Sequence, residues 1–218
     1  MPAPGPILLY RPGGLGDLLV TLPAIRLARE ASPGRRALLA ASPAPGRLLA
    51  RAGAADDVLS CDDPRLRPLF DEGASGEAGF GSLPAAPSAF WAWFTKEPPP
   101  GFRSAVDRLF GGGGRIIVHD PASGLSVGRS FFSRTAGTLG LKPDEAGFER
   151  AARLPDFGPP PVPLPDPPFA VIHPGSGGRG KNWPLDRFLE VAARLRGRGL
   201  AGFLVTGPAE GSLLRGGK

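Results

Sequence analysis

Residues 7–24 read ILLYRPGGLGDLLVTLPA, and this stretch decides the fold. The apolar run Ile7–Tyr10 is typical of a buried β-strand, and the glycines after it indicate a tight turn. From Leu18 onward apolar residues recur at helical spacing until residues 32–34 (SPG), with a kink expected at Pro23. A strand that leads through a glycine turn into a helix is the first half of a βαβ unit. The stretch therefore predicts a parallel α/β sheet.

The same alternation continues along the chain. It predicts strands at Ala37–Ala41, residues 58–60, Ala89–Phe94 and residues 116–118, and helices over residues 45–52, Phe102–Phe110 and residues 129–141.

A proline-rich segment divides the chain. Residues 155–168 contain eight prolines, which excludes regular structure and indicates an interdomain linker. The pattern then restarts with a strand at Phe169–Ile172, a glycine-rich turn, a helix over Leu185–Arg196 and a strand over residues 203–205. The sequence thus predicts an α/β protein with two Rossmann-like domains and parallel sheets. They comprise residues 1–154 and residues 169–218, and the second is incomplete.

Composition and charge indicate the kind of partner that the protein could bind. The net charge of +6 suits an anionic partner, although the enrichment in alanine, glycine, proline and arginine is equally typical of a coding bias. Dispersed basic residues disfavour nucleic-acid binding.

Cys61 is the only cysteine, which excludes an intramolecular disulfide and favours a location in the cytoplasm. The N-terminal residues 1–10 resemble neither a signal peptide nor a spanning helix, so we expect a soluble or peripheral protein.

The first glycine turn contains Gly13, Gly14 and Gly16, followed by Asp17. A dinucleotide-binding interpretation fails here, because Leu19 occupies the third glycine position and no acidic residue ends the second strand. Asp17 at a helix start is stabilised as an anion by the helix dipole, and it follows a strand end, where open α/β sheets bind ligands. The alternative is that Asp17 merely caps the helix.

The second glycine turn, residues 173–184, reads HPGSGGRGKNWP. Glycine amides, a following helix start and Lys181 suit a phosphate. The turn can be written G-x-x-x-x-G-K, but Asn182 stands where a P-loop needs Ser or Thr for magnesium. The strand at residues 203–205 also lacks the terminal aspartate of an NTPase. Phosphate binding without a dedicated metal is therefore favoured over ATP hydrolysis.

Two histidines, His119 and His173, each follow a predicted strand. Neither has a cysteine or second histidine at metal-ligand spacing, so a structural role is favoured over catalysis and no metal is expected. Trp91 and Trp93 lie in a strongly apolar segment and are expected to fill the core.

Three motifs together resemble glycosyltransferase family 9, the ADP-heptose:lipopolysaccharide heptosyltransferases. They are residues 11–24 (RPGGLGDLLVTLPA), residues 173–184, and residues 206–210 (TGPAE), and the likeness spans the whole chain. The resemblance implies a GT-B architecture, with an N-terminal acceptor domain and a C-terminal nucleotide-sugar domain. It implies transfer of heptose from ADP-heptose to the lipopolysaccharide inner core with inversion, without cofactor or metal.

By the same resemblance, particular residues have roles. Asp17 would be the general base, and the turn of Gly13, Gly14 and Gly16 would lie at the cleft. Ser176, Gly177 and Lys181 would bind the donor diphosphate, and Glu210 the ribose. The positive charge would favour transient contact with the inner face of the cytoplasmic membrane.

The chain also departs from the family after Glu210. Family members usually continue through further βα units, whereas only residues 211–218 follow here. We therefore expect a C-terminally truncated donor domain, whose activity is in question. Two alternatives stay open: a non-catalytic remnant that binds a carbohydrate or lipid, and a small P-loop-like NTPase.

Overall fold

The computed structural model describes residues 5–71, 73, 80–83, 85–155, 163, 168–175 and 183–207. The chain separates into two compact units, residues 1–157 and residues 158–218, and each is described by itself.

The first unit is a parallel sheet of five strands in the order β3-β2-β1-β4-β5, with helices between the strands. In chain order its elements are β1 (Ile7–Tyr10), α1 (Leu15–Glu30), β2 (Ala37–Ala41), α2 (Pro43–Arg51), β3 (Asp57–Ser60), β4 (Ala89–Phe94), α3 (Phe102–Phe110), β5 (Gly114–Val118), α4 (Val127–Thr138) and α5 (Glu145–Ala152). Short 3₁₀ segments lie at Pro64–Leu69, Gly111–Gly113 and Pro121–Ser123. The parallel α/β fold predicted from the sequence is confirmed.

Both faces of the sheet are covered, which explains why β1, β2 and β4 are continuously apolar. Alternate residues of β1 enter two separate cores. Ile7 and Leu9 pack with α1 and with Trp91 and Trp93, while Leu8 and Tyr10 belong to a second cluster. That second cluster contains Phe90 and Phe102, and it is rich in ring contacts. The expectation that both tryptophans fill the core is confirmed, since both are buried.

The helix boundaries differ in part from those predicted. Helix α1 begins at Leu15 and continues through Pro23, and α4 covers Val127–Thr138 instead of residues 129–141. The sequence analysis did not predict α5. Its start is marked by Asp144, whose side chain accepts a hydrogen bond from the Gly147 N–H. An N-terminal cap of this kind is therefore the signal that was overlooked.

Helices α1 and α4 cross closely. A β-carbon at Gly128 would lie 2.9 Å from the Val20 carbonyl oxygen, so only glycine permits this approach of the two backbones. The crossing places the N-terminal half of α4 beside the first turns of α1.

The second unit contains β6 (Phe169–Ile172), α6 (Leu185–Arg196) and β7 (Ala201–Leu204). Strands β6 and β7 pair in parallel, with Phe169 opposite Ala201, as a βαβ unit requires. The bounds of β6 and α6 agree with the prediction, and β7 begins two residues earlier than expected. Within α6 and β7, no side chain that the structure describes is buried.

Crossing a bilayer requires about 20 consecutive apolar residues in a helix. No helix in the described parts of the chain reaches that combination of length and apolar character.

Candidate active site

The strand order identifies the edge of the sheet where a ligand is expected. From β1 the chain proceeds to β2 and β3 on one side, and β4 then lies on the other side of β1. Open α/β sheets bind ligands outside the carboxyl ends of the strands where the order reverses, which here is between β1 and β4. The glycine turn follows β1 directly. It is joined to the end of β2 by a hydrogen bond from Ser42 Oγ to the Gly13 carbonyl, 2.7 Å long.

The three glycines of this turn are not equivalent. Gly13 has φ +125°, and a β-carbon there would lie 2.6 Å from Asp17 Oδ2. Gly14 is the N-cap residue of α1, and its N–H donates to Asp17 Oδ2 at 2.9 Å. Gly16 lies in the first turn of α1, and apart from its chain neighbours and the backbone of its own helix nothing lies within 4 Å of the place of a β-carbon. Gly13 is thus needed for conformation and space, whereas Gly16 is not.

Two hydrogen-bond donors hold the Asp17 carboxylate next to this glycine turn. Besides the Gly14 N–H on Oδ2, Arg11 Nη2 donates to Oδ1 at 3.1 Å. The side chain nevertheless stays 48% exposed, and each oxygen keeps an unused lone pair. Asp17 does cap α1, as the structural alternative supposed. The cap leaves the carboxylate accessible, so the structure is compatible with both roles.

Arg11 is the functional candidate that sequence reasoning missed. It is only 4% exposed, and its guanidinium contacts Thr21 Oγ1 at 2.9 Å and the Trp93 carbonyl at 3.3 Å. Burial lowers the pKa of Arg11, and the Asp17 carboxylate partly offsets this. A charged residue directly after a buried strand, six positions before an acid, was the available signal.

An aromatic ring joins Arg11 to the end of β5. The guanidinium carbon of Arg11 lies 5.4 Å from the centroid of Phe131, on α4. The ring of His119 packs edge-on against the same phenylalanine, with 6.4 Å between the ring centroids. The backbone N–H of His119 donates to the Phe94 carbonyl at 2.8 Å. The buried Nδ1 of His119 has no hydrogen-bond partner among the residues that the structure describes. His119 therefore belongs to the same edge of the sheet as Asp17.

The predicted donor residues Ser176, Gly177, Lys181 and Glu210 lie outside the described residues. The elements around the second glycine turn are described: β6 ends at Ile172, before it, and α6 begins at Leu185, after it. Between them, His173 Nδ1 accepts a hydrogen bond from the Gly175 N–H at 3.3 Å. The roles of the donor residues stay predictions.

In the part of the chain that the structure describes, no group of three His, Cys, Asp or Glu side chains is placed to hold a metal ion.

A depression of about 710 Å³ on the first unit lies at the opposite edge of the sheet, where β2 and β3 begin. Its arginines are engaged in the fold. Arg29 donates to the Gly53 carbonyl at 3.0 Å and to Asp56 at 2.6 Å, and Arg26 donates to the carbonyls of Ala52 and Ala151. We therefore place the candidate site at the carboxyl ends of the strands. The strand order and the side chains of Arg11 and Asp17 decide this, and the volume of a depression does not.

Several solved structures resemble this chain. E. coli heptosyltransferase WaaC with ADP-2-deoxy-2-fluoro heptose matches at 18% identity over 94% of this chain and 70% of that protein, with a TM-score of 0.56. A glycosyl transferase family 9 structure from Veillonella parvula matches at 14% identity over 99% of this chain and 66% of that one, with a TM-score of 0.60. E. coli ADP-heptose lps heptosyltransferase II matches at 16% identity over 95% of this chain and 66% of that one, with a TM-score of 0.54.

The chain thus spans 66–70% of the length of these structures. No protein-family model and no curated protein matches it. At 14–18% identity the likeness is one of architecture. The chain has the GT-B-type fold of the family 9 heptosyltransferases.

Proposed function

We propose that this chain is an inverting glycosyltransferase in which Asp17 is the general base. The observation that carries the proposal is the placement of the Asp17 carboxylate. It is half-exposed, fixed by two donors, and located after β1 at the reversal of strand order. A general base needs this combination of access and fixed position. The GT-B-type fold supports this reaction class, in which such a carboxylate can serve as the base.

In the proposed reaction, Asp17 accepts the proton of an acceptor hydroxyl as its oxygen attacks the anomeric carbon of the donor sugar. The bond from that carbon to the diphosphate oxygen breaks at the same time, and the nucleoside diphosphate leaves with the bonding electrons. Attack opposite the leaving group inverts the anomeric centre. The general base contributes about 10²–10⁴-fold to the rate of such a step.

The donor we propose is ADP-heptose. Support comes from the structure of WaaC with an ADP-heptose analogue, whose fold this chain shares, and from the basic glycine turn at residues 173–184. Ser176 and Gly177 would bind the diphosphate, Glu210 the ribose, and Lys181 would neutralise the charge on the departing diphosphate. With Lys181 in that role, the transfer would proceed without a metal ion.

The acceptor we propose is the inner core of lipopolysaccharide. It carries negative charge, which the net charge of +6 would attract. Transient contact with the inner face of the cytoplasmic membrane would follow from the same attraction to anionic lipid.

The test is transfer of heptose from ADP-heptose to a lipopolysaccharide core acceptor, followed by mass spectrometry of the acceptor. We expect the acceptor to gain one heptose, with the rate unchanged by EDTA and strongly reduced by Lys181→Ala. Calorimetry with ADP-heptose separates the alternatives. Donor binding without transfer would favour the binding protein over the enzyme, and magnesium-dependent ATP hydrolysis without donor binding would favour the NTPase.

A further inference from the structure

We propose that Arg11 is a positioning residue, which holds the Asp17 carboxylate in one orientation from the buried side of the glycine turn. The inference rests on the proposed function in one respect, because Asp17 is the base whose orientation matters. Arg11 itself is 4% exposed, so it acts on the acceptor only through Asp17.

The guanidinium is fixed by elements that are far apart in sequence. Its Nε donates to Thr21 Oγ1 at 2.9 Å and lies 3.4 Å from the Asp17 carbonyl, both on α1. Its Nη1 donates to the Trp93 carbonyl on β4 at 3.3 Å. A buried charge is tolerated only when it is paired and hydrogen-bonded; these groups supply the hydrogen bonds, and the Asp17 carboxylate supplies the opposite charge. The partners on α1 and β4 use two different nitrogens of a planar group, so they leave it little freedom to rotate.

The same guanidinium lies over an aromatic ring of α4. The Phe131 ring lies 5.4 Å from the guanidinium carbon and is fully buried. A cation over an aromatic face is attracted electrostatically by the ring, which adds to the restraint on the group. Arg11 is thus held both by hydrogen bonds and by contact with a ring.

This rigid support supplies a second fixed point for Asp17. The Gly14 N–H binds Oδ2 and belongs to the helix cap, and a carboxylate held by one oxygen alone can turn about its Cβ–Cγ bond. The bond from Arg11 Nη2 to Oδ1 removes that freedom. The two outward lone pairs then keep one direction, which proton transfer from an acceptor hydroxyl requires. A misplacement of about 1 Å at such a site costs up to about 10²-fold in rate.

Arg11→Lys and Arg11→Met test the inference, with Arg29→Met as the matched control. Arg29 is on the same helix as Asp17, and it also pairs with a carboxylate and a backbone carbonyl. That pair lies at the far end of α1. We expect Arg11→Met to lower kcat by about 10–100-fold with the KM values for donor and acceptor unchanged, and Arg11→Lys to restore part of the loss. Arg29→Met should leave both parameters unchanged.

A double-mutant cycle separates positioning from general damage. If Arg11 acts only through Asp17, then Arg11→Met should cause almost no further loss of rate in an Asp17→Asn background. An equal loss in both backgrounds would overturn the inference.

A second readout needs no activity. The NMR signal of the Gly14 amide reports the bond to Asp17 Oδ2, and Asp17→Ala supplies its unbonded position. In Arg11→Met, or in Arg11→Lys if the former does not fold, we expect this signal to move toward that position. An unmoved signal in a folded Arg11 variant would overturn the inference even if the chain transfers sugar. A moved signal in a chain that transfers no sugar would support the positioning and refute the proposed function.

Discussion

Gly13 packs directly against the carboxylate of Asp17, so closely that a β-carbon at position 13 would lie 2.6 Å from Oδ2. The same glycine has φ +125°, a conformation that residues with a side chain rarely adopt. Gly13→Ala should therefore displace the Asp17 carboxylate and lower the free energy of unfolding by about 1–3 kcal/mol. Urea denaturation measures the loss of stability, and the rate of sugar transfer should fall with it.

Gly16→Ala is the control for this prediction. The residue is helical, and outside its own helix and chain neighbours nothing lies within 4 Å of the position that its β-carbon would take. Alanine should be tolerated there, with stability unchanged or raised by up to about 1 kcal/mol. Equal effects of the two substitutions would show that the turn does not hold Asp17 as described.

A buried hydrogen bond joins β4 to α4 beneath the site. The Trp93 indole N–H donates to Thr135 Oγ1 at 3.1 Å, and both residues are fully buried. Thr135→Val keeps the shape but leaves a buried donor without its acceptor, so it should cost about 1–3 kcal/mol of stability. Thr135→Ser keeps the hydroxyl and should recover most of the hydrogen-bond loss. Equal stability of the valine variant and the wild type would contradict this account of the core.

Arg26 ties the ends of two helices together. Its guanidinium donates to the Ala151 carbonyl at the end of α5, at 2.7 Å, and to the Ala52 carbonyl after α2, at 3.0 Å. A cation suits helix C-termini, where carbonyls lack partners within the helix. Arg26→Met should cost about 1–3 kcal/mol and speed amide exchange in α5. Arg51→Met, at an exposed position on α2, should change neither, and a similar effect of both variants would refute the tie.

Stability at acid pH should depend on Asp56. Burial by itself raises the pKa of the Asp56 carboxyl, but hydrogen bonds from the Ala37 N–H and from Arg29, with the nearby charges of Arg29 and Arg36, outweigh it and leave the pKa below its ordinary value. A carboxyl whose pKa is lowered by folding contributes stability above its unfolded pKa of about 4. That contribution is lost as the pH falls through the folded pKa.

Asp56→Asn should therefore flatten the fall in unfolding free energy below about pH 4, measured by urea denaturation over a pH series. Asp57→Asn changes the neighbouring carboxylate, which is 57% exposed, and keeps Asp56. The Asp57→Asn protein should retain the fall in unfolding free energy at acid pH. An Asp56→Asn protein with the acid dependence of the wild type would contradict the prediction.

The strands could be predicted from the sequence because the sheet is buried on both faces. Apolar runs with turns at both ends left few alternatives, and β1, β2 and β4 agree residue for residue with the prediction. Helix α5 could not be predicted in this way. Its largest apolar residue, Phe148, packs on Phe132 and beneath Arg129, and those partners come from another helix. The apolar pattern within Glu145–Ala152 itself was too weak to indicate a helix.

The candidate site was predictable only in its outline. Asp17 could be located from its place after a strand and a glycine turn. The support beneath it could not, because Arg11 meets Trp93 and Phe131 only once distant elements have packed. The sequence analysis likewise treated helix capping and catalysis as alternatives for Asp17. The structure shows how one carboxylate can cap the helix and stay half-exposed.

The central claim is that Asp17 is the general base of a sugar transfer. Asp17→Asn tests it most directly, because the amide keeps the size of the side chain and an oxygen that can cap α1 but does not accept the proton. Asp144→Asn, which alters the cap of α5, is the matched control. The measurement is the rate of heptose transfer from ADP-heptose to a lipopolysaccharide core acceptor, with donor binding followed by calorimetry. We predict that Asp17→Asn lowers the rate by about 10²–10⁴-fold while donor binding and the Asp144→Asn rate stay unchanged. Transfer by Asp17→Asn at the wild-type rate would contradict the account.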